Sequence, residues 1–377
     1  MRRAMLLATA AASLTCSPTA TAATAATTAS LTSADGSVTA AIGSSGITSL
    51  KHGGDAAMPL SRGAKTELSP VMAFASASCK ASGDAKVVDL QPAQKAVAVT
   101  QAWRCAVSDN TSTPPVTVIA TVTDTFTAAA RSIAVNSSIT TDKPVPFTVQ
   151  LDTALEFAAL PTNSSYWLPF GKGCVQNAGK VHGMCLAGGE PWSSALAPEP
   201  LPTGADMTRY YRYGGTGVAA DIAGTVPPQD AVVADMFSVP ITTLLPAAAA
   251  AAASSAFSLA LDPADPILEL TLAVGATGVA FGRELLRIGG PNPLTFSAHV
   301  VAHASCWRPG LQFITTQFPS FFLPWVEHAS EFEGLGSYSW NQEPYNTTRA
   351  KAIGFKTNWD LSGTWMPCEC IHAPLLA

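Results

Sequence analysis

The chain is 377 residues long, carries a net charge of -5 and has only 12% charged residues. Since soluble domains usually contain about 25% charged residues, the surface of this protein must be largely neutral and polar. The sequence has no cluster of basic residues, so it argues against nucleic acid and anionic membrane surfaces as partners. The length suits one large β domain or two ordinary ones.

The N-terminus has the pattern of a secretory signal. Arg2 and Arg3 precede an apolar run over residues 4–14, and small residues follow up to Ala20-Thr21-Ala22, which fits an A-x-A cleavage site. We therefore predict a signal peptide over residues 1–22 and a secreted, extracellular protein. The apolar run is too short to cross a bilayer, so no membrane span is expected after the signal is removed.

The following residues have the pattern of β-strands. Short β-branched runs with alternating apolar residues are broken every 8 to 15 residues by Gly, Pro, Asp or Asn. Asp35-Gly36 indicates a hairpin at the start. Further strand candidates are residues 97–107, 116–126, 132–140, 147–151, 231–239, 257–261 and 267–274. The predicted fold class is mainly β: a large antiparallel β-sandwich over residues 23–300, followed by a short α/β segment over residues 301–377.

Cysteine usage agrees with an oxidising compartment. Seven cysteines remain once the signal, which contains Cys16, is removed, and the odd count leaves one thiol unpaired. Cys306 could pair with either cysteine of the Cys368-Glu369-Cys370 tail, because spacing alone does not fix connectivity. No C-x-x-C pair exists, so we expect no metal site. Short separations predict two disulfides, Cys79 with Cys105 and Cys174 with Cys185.

Four N-x-S/T sequons agree with passage through a glycosylating secretory route. They predict N-glycans at Asn110, Asn136, Asn163 and Asn346.

Two segments interrupt the strand pattern. Residues 161–217 are rich in aromatic residues, Pro and Gly, and include Arg209-Tyr210-Tyr211-Arg212-Tyr213. Loops of this length inside a compact domain are usually functional or disordered, and its two cysteines favour an ordered one. Seven alanines over residues 247–253 are interpreted as a loop, with a short helix as the alternative.

His299 and His303 fall on one face of a predicted strand. They lack the glutamate and the helical context of a zinc protease motif, so we interpret them as hydrogen-bonded structural histidines. Asp262-Pro263-Ala264-Asp265-Pro266 is interpreted as a rigid turn rather than a calcium site. After Pro309-Gly310 the pattern predicts a helix, with a core face formed by Trp307, Phe313, Phe318 and Phe322.

Aromatic residues are concentrated near the C-terminus, where 13 of the 29 in the chain fall within residues 303–365. A sugar ring offers an apolar face for stacking and hydroxyls for planar polar partners. We therefore predict carbohydrate as the partner. The candidate contact residues stand among polar residues and glycines, and they are Tyr338, Trp340, Trp359 and Asp360.

Two motifs carry a resemblance to known proteins. Asp35-Gly36-Ser37-Val38 through Ile47-Thr48-Ser49-Leu50 is similar to the first hairpin of the galactose-mutarotase-like supersandwich, which precedes the catalytic barrel in several glycoside hydrolase families. Gly354-Phe355-Lys356-Thr357-Asn358-Trp359-Asp360 resembles the first barrel strand of retaining enzymes related to α-glucosidases and α-galactosidases. The resemblance implies that Trp359 and Asp360 line a sugar pocket. It also implies that the nucleophile and the acid/base carboxylate lie on later barrel strands.

Hydrolysis of a glycosidic bond needs two suitably spaced carboxylates. The barrel positions that would supply them have no counterpart here, so the catalytic residues are unknown and the barrel is expected to be truncated. The sequence thus predicts a secreted, glycoside-hydrolase-like protein that interacts with carbohydrate and lacks the catalytic half of its barrel. No cofactor motif is present. A non-catalytic extracellular wall or matrix structural glycoprotein is the alternative, and a complete enzyme is the third, using Glu327, Glu331, Glu333 or Glu343.

Overall fold

The computed structural model describes most of the chain between residues 28 and 361. The ranges are 28–69, 77–89, 96–108, 115–169, 198–202, 209–213, 235–237, 239–247, 255–265, 270–322, 335–340, 346–352 and 355–361. The predicted signal peptide, Asn110, the Cys174 and Cys185 pair, most of the alanine run and the four candidate glutamates lie outside the described residues.

Strands dominate the described part of the chain. They are β1 Ala29–Thr32, β2 Val38–Gly43, β3 Gly46–His52, β4 Met58–Ser69, β5 Ala77–Ala81, β6 Lys86–Asp89, β7 Ala96–Val107, β8 Val116–Ala128, β9 Ile133–Thr141, β10 Phe147–Phe157, β11 Ser165–Trp167, β12 Glu199–Pro200, β13 Arg209–Tyr213, β14 Asp235–Phe237, β15 Ile241–Leu245, β16 Ser255–Leu261, β17 Leu270–Val274, β18 Gly278–Ile288, β19 Leu294–Ala304, β20 Leu335–Trp340 and β21 Phe355–Leu361. The helices are α1 Arg308–Gln317 and α2 Thr347–Ala352, with a 3₁₀ turn at Pro319–Phe321.

Two large sheets form a sandwich. The nine-stranded sheet has the order β1-β2-β3-β4-β10-β18-β17-β13-β14. The ten-stranded sheet has the order β12-β11-β15-β16-β19-β9-β8-β7-β5, and β6 also pairs with β7. Neighbouring strands in both sheets are antiparallel, apart from the parallel pair β13 and β14. The predicted antiparallel β-sandwich is confirmed, and β19 runs through residue 300 to Ala304.

Alternation along the strands builds the core between the two sheets. On β8, every second residue from Val118 to Phe126 is buried, while the residues between them are partly exposed. Asp124 is the polar member of the buried set. Its carboxylate accepts hydrogen bonds from Ser137 Oγ at 2.6 Å and from the backbone N–H of Thr66 at 3.0 Å. Because Thr66 belongs to β4, this carboxylate links the two sheets.

The edge of the ten-stranded sheet carries a disulfide. Cys79 on β5 lies directly opposite Cys105 on β7, and the two residues are bonded, as their short separation indicated. Both are buried in a cluster with Val107 and Val118.

Helix α1 covers the outer face of β15, β16 and β19. It begins at Arg308 with Pro309 in its first turn, a position where proline removes no helical hydrogen bond. Trp307 stacks on Trp167 of the sheet, with ring centroids 4.3 Å apart. Phe313 is buried in the same cluster, and Phe318 and Phe322 pack against it. The predicted helix and its aromatic core face are confirmed.

The described C-terminal residues form a parallel pair. Strands β20 and β21 are hydrogen-bonded in parallel, and α2 lies between them in sequence and contacts β21. This arrangement is the α/β character predicted for residues 301–377. None of the helices that the structure describes is long and apolar enough to cross a membrane.

Candidate functional site

The outward face of the nine-stranded sheet carries a row of polar side chains on its central strands. On β10, the buried residues Val149, Leu151 and Thr153 alternate with Gln150 and Asp152, which are half-buried. Because successive side chains of a strand point to opposite faces, Gln150 and Asp152 point away from the core. We call these two residues, together with Arg62, Glu67, Ser69, Glu156 and Thr271, the polar row.

An arginine anchors one end of the polar row. Arg62 donates to Oε2 of Glu67 from Nε at 3.2 Å and from Nη2 at 2.8 Å, and to Oε1 of Glu156 from Nη1 at 2.9 Å. Burial alone would lower the pKa of the Arg62 guanidinium, but the two carboxylates raise it above its ordinary value. All three side chains keep about a third of their surface exposed, at 33%, 36% and 27%. They are held in place and can still be reached by a ligand.

A second carboxylate group lies at the middle of the row. Asp152 accepts a hydrogen bond from Ser69 Oγ at 2.5 Å and another from Gln150 Nε2 at 2.8 Å. In the sheet register it stands opposite Glu67 on one side and Gly282 on the other. Among the described residues, no lysine or arginine makes an ion pair with Asp152.

Gly282 on β18 allows three polar groups to converge. A side-chain Cβ at this position would lie 2.7 Å from Thr271 Oγ1, 3.1 Å from Gln150 Nε2 and 3.2 Å from Asp152 Oδ1. Only a residue without a side chain fits there without pushing these atoms apart. The glycine therefore permits a compact cluster with a hydroxyl, an amide and a carboxylate on the outward face of the sheet.

Strand β13 adjoins this cluster through β17. In the register, Tyr210 stands opposite Ala273, and Arg212 stands opposite Thr271. These residues belong to the aromatic segment that the sequence singled out. The pairing therefore brings part of that segment to the sheet that carries the polar row.

The predicted sugar-contacting residues fall on the parallel pair. In the register, Tyr338 of β20 lies beside Trp359 of β21, and Ser339 lies beside Asp360. Strand alternation assigns positions 338, 340 and 359 to one face of the pair and position 360 to the other. The backbone thus brings the four residues onto adjacent strands. Their role in sugar contact stays a prediction.

His299 and His303 make the structural contacts that the sequence indicated. His303 Nδ1 lies 2.9 Å from the carbonyl oxygen of Ala304, to which it donates, so Nε2 accepts from Ser258 Oγ at 2.8 Å. Thr243 Oγ1 lies 2.7 Å from Ser258 Oγ and continues the chain. Burial lowers the pKa of His303 to about 4, so this imidazole is neutral at physiological pH.

His299 is packed between aromatic rings of the helix side. Its ring centroid lies 5.5 Å from that of Phe313 and 5.7 Å from that of Phe318, and Nδ1 lies 3.1 Å from Ser132 Oγ. Burial lowers the pKa of His299 as well. No group of three or more His, Cys, Asp or Glu residues with metal-binding geometry occurs in the described ranges.

The proline-rich turn and the sequons have clear local settings. Asp262 Oδ1 accepts a hydrogen bond from the backbone N–H of Ala264 at 2.9 Å, as in the turn that was predicted. Asn136, Asn163 and Asn346 are exposed, and Asn163 sits in a turn with a positive φ of 69°. These three sequons are accessible on the folded protein, and their glycosylation stays a prediction.

Sequence reasoning missed the polar row. The only local signal was the placement of Gln150 and Asp152 at alternate positions of an otherwise apolar strand. Arg62 and Glu67 come from β4 and Thr271 from β17, so the set assembles only when the strands pair.

Comparison with known proteins finds matches among solved structures only. No family model and no curated protein matches the sequence. The chain is similar to an aldose epimerase homologue from C. elegans, with a TM-score of 0.37 and 9% identity over 75% of this chain and 100% of that one. It is similar to a galactose mutarotase-like protein from Lactobacillus casei, with a TM-score of 0.32 and 14% identity over 74% of this chain and 100% of that one.

A glycoside hydrolase is also among the similar structures. A GH36 α-galactosidase from Geobacillus stearothermophilus matches with a TM-score of 0.34 and 8% identity over 73% of this chain and 34% of that one. The neighbours thus belong to the two groups that the sequence resemblance indicated.

Proposed function

We propose that this protein binds carbohydrate on the outward face of its nine-stranded sheet, with the polar row as the contact surface. The observation that supports this best is the convergence of Gln150, Asp152 and Thr271 over Gly282. The ion pair between Arg62 and Glu156 lies on strands β4 and β10 and extends this contact surface. A carboxylate, a guanidinium and a carboxamide are planar groups that can each make two hydrogen bonds to neighbouring hydroxyls.

The polar row is ordered before any ligand arrives. Asp152 is fixed by Ser69 and Gln150, and Arg62 is fixed by two carboxylates on different strands. A ligand then loses less free energy to the immobilisation of long side chains, which otherwise costs about 0.5–1.5 kcal/mol each. A surface of mobile side chains would not offer this advantage.

Extracellular location is part of the proposal. The signal-like N-terminus supports it, and so does the disulfide between Cys79 and Cys105, because such bonds persist mainly in oxidising compartments. The aromatic positions of β20 and β21 are proposed as a further sugar-contacting element.

The proposed activity is binding without hydrolysis. Its support is that each carboxylate of the polar row is already held, Asp152 by Ser69 and Gln150 and the two glutamates by Arg62, which suits fixed contact groups. Release of nitrophenol from aryl glycosides by the purified protein, lost on substitution of one of its carboxylates, would contradict this part of the proposal.

Glycan-array binding followed by calorimetric titration tests the function. We expect the wild type and an exposed control variant, Asp84→Asn, to bind the same glycans with equal affinity. Asp152→Asn should weaken binding at least about tenfold, since one good hydrogen bond to a charged group contributes about 1.5–3 kcal/mol. Gln150→Ala should weaken binding about two- to tenfold, since a hydrogen bond between neutral groups contributes about 0.5–1.5 kcal/mol. Circular dichroism and urea unfolding confirm that each variant is folded.

A Trp359→Ala variant separates the two proposed surfaces. Loss of binding in this variant, with Asp152→Asn binding normally, would place the site on β20 and β21 and contradict the sheet-face site. No binding by the wild type would reject the carbohydrate role and favour a structural wall or matrix glycoprotein.

A further inference from the structure

We infer that the polar row selects glycans that are neutral or carry an amine, and rejects glycans that carry carboxylate or sulfate groups. This inference rests on the proposed carbohydrate-binding function and names the class of sugar. It comes from the charge of the row and from the hydrogen-bonding capacity of Asp152.

The row has more carboxylates than cations. Arg62 is its one guanidinium, and Glu67 and Glu156 both bind it. Asp152 adds a third carboxylate, and its hydrogen-bond donors, Ser69 and Gln150, are neutral. The formal charge of the row is therefore −2. Within the row, an acidic ligand would meet more carboxylates than cations.

The cation of the row is already engaged. Arg62 uses three of its five N–H donors on its two carboxylate partners, so an incoming acidic group would meet a cation whose charge two carboxylates already balance. Lys65 is the other cation of β4. In the described part of the chain it makes no salt bridge with Glu67, Asp152 or Glu156.

Asp152 requires a ligand that donates hydrogen bonds. An ionised carboxylate only accepts, and it has about four lone-pair positions. Ser69 and Gln150 occupy two of them, one on each oxygen. A sugar hydroxyl or ammonium group can donate to the remaining positions, whereas a uronate carboxylate or a sulfate brings only acceptors.

Three ligands of one sugar configuration test the inference: the neutral hexose glycan bound on the array, its hexosamine and its hexuronate. Two unit charges about 4 Å apart in water interact by about 1 kcal/mol, which is a factor of about five in affinity. We therefore expect the hexuronate to bind at least about fivefold more weakly than the hexose, and the hexosamine to bind at least as tightly as the hexose. High salt should reduce the difference between the acidic and neutral ligands.

The Asp152→Asn variant decides whether the row causes the selectivity. This variant should reduce the difference in affinity between hexuronate and hexose, while the Asp84→Asn control should keep the wild-type difference. Equal binding of all three sugars by the wild type, or a gap unchanged in Asp152→Asn, would overturn the inference and leave carbohydrate binding standing. Absence of binding to any of the three sugars and to the array would reject the proposed function itself.

Discussion

Replacing Gly310 by alanine tests how helix α1 is held on the ten-stranded sheet. Gly310 lies directly over the hydrogen-bonded chain of Thr243, Ser258 and His303. An added Cβ would overlap Ser258 Oγ, and it would lie 2.9 Å from Thr243 Oγ1 and 3.2 Å from His303 Nε2. The helix must then lift, or Ser258 must turn away from its partners.

The expected cost combines three effects. Overpacking a buried contact costs about 1–3 kcal/mol. Turning Ser258 away leaves buried polar groups without partners, at about 1–3 kcal/mol. Alanine is the better helix former and returns up to about 1 kcal/mol. Together these terms leave a net loss, and we expect Gly310→Ala to lower the free energy of unfolding by about 1 kcal/mol or more.

Urea unfolding followed by tryptophan fluorescence measures this loss, because Trp307 of the helix side stacks on Trp167 of the sheet. Gly290→Ala is the matched control, since no atom lies within 4 Å of its Cβ position. Ser258→Ala in the Gly310→Ala background removes the overlapping oxygen and should recover part of the stability. Stability of Gly310→Ala equal to that of the control would refute the close packing of the helix described above.

Three further stability measurements follow from buried groups. Burial lowers the pKa of His303 to about 4, so the unfolded chain binds an extra proton between about pH 6.5 and 4. As the pH falls through this window, the free energy of unfolding of the wild type should fall by about 3 kcal/mol relative to that of His303→Gln. Urea titrations at a series of pH values measure this difference. Burial raises the pKa of Asp124 to about 6, so between about pH 4 and 6 it is the folded chain that holds the extra proton. The wild type should therefore lose stability relative to Asp124→Asn as the pH rises from about 4 to 6. A stability difference between the two proteins that is independent of pH would contradict this. Removing the disulfide in a Cys79→Ala, Cys105→Ala double variant should lower the free energy of unfolding by about 3 kcal/mol, because the bond closes a loop with a sequence separation of 26. Thermal unfolding measures this loss, and an unchanged melting temperature would contradict it.

Much of the fold could be predicted because its signals are local. Alternation on β8 reads directly as a half-buried strand, and the aromatic spacing after Pro309 reads as the core face of a helix. The disulfide between Cys79 and Cys105 could be predicted for the same reason, since a short separation in sequence limits the choice of partners.

The polar row could not be predicted because it depends on pairing between distant segments. Arg62 and Glu156 are 94 residues apart in sequence, and Asp152 meets Gly282 only through the register of β10 with β18. Alternation along a strand fixes which face a side chain takes, but it does not identify the distant strand that pairs with it. The sequence therefore directed attention to the aromatic C-terminal segment, where single residue types carry the signal.

The contact between Gly310 and the buried hydroxyls could not be predicted either, because it also joins segments that are distant in sequence. The sequence indicated a helix start at Pro309-Gly310 and two structural histidines on one strand. It did not indicate that the glycine lies on Ser258, which belongs to another strand.

Calorimetric titration of the array-selected glycan into the wild type and into folded Asp152→Asn tests the central claim most directly. The account predicts saturable binding by the wild type and binding about tenfold weaker in the variant, because the carboxylate that accepts from the sugar hydroxyl is replaced. Equal affinity of the two proteins, with both shown to be folded, would contradict a carbohydrate site on the outward face of the nine-stranded sheet.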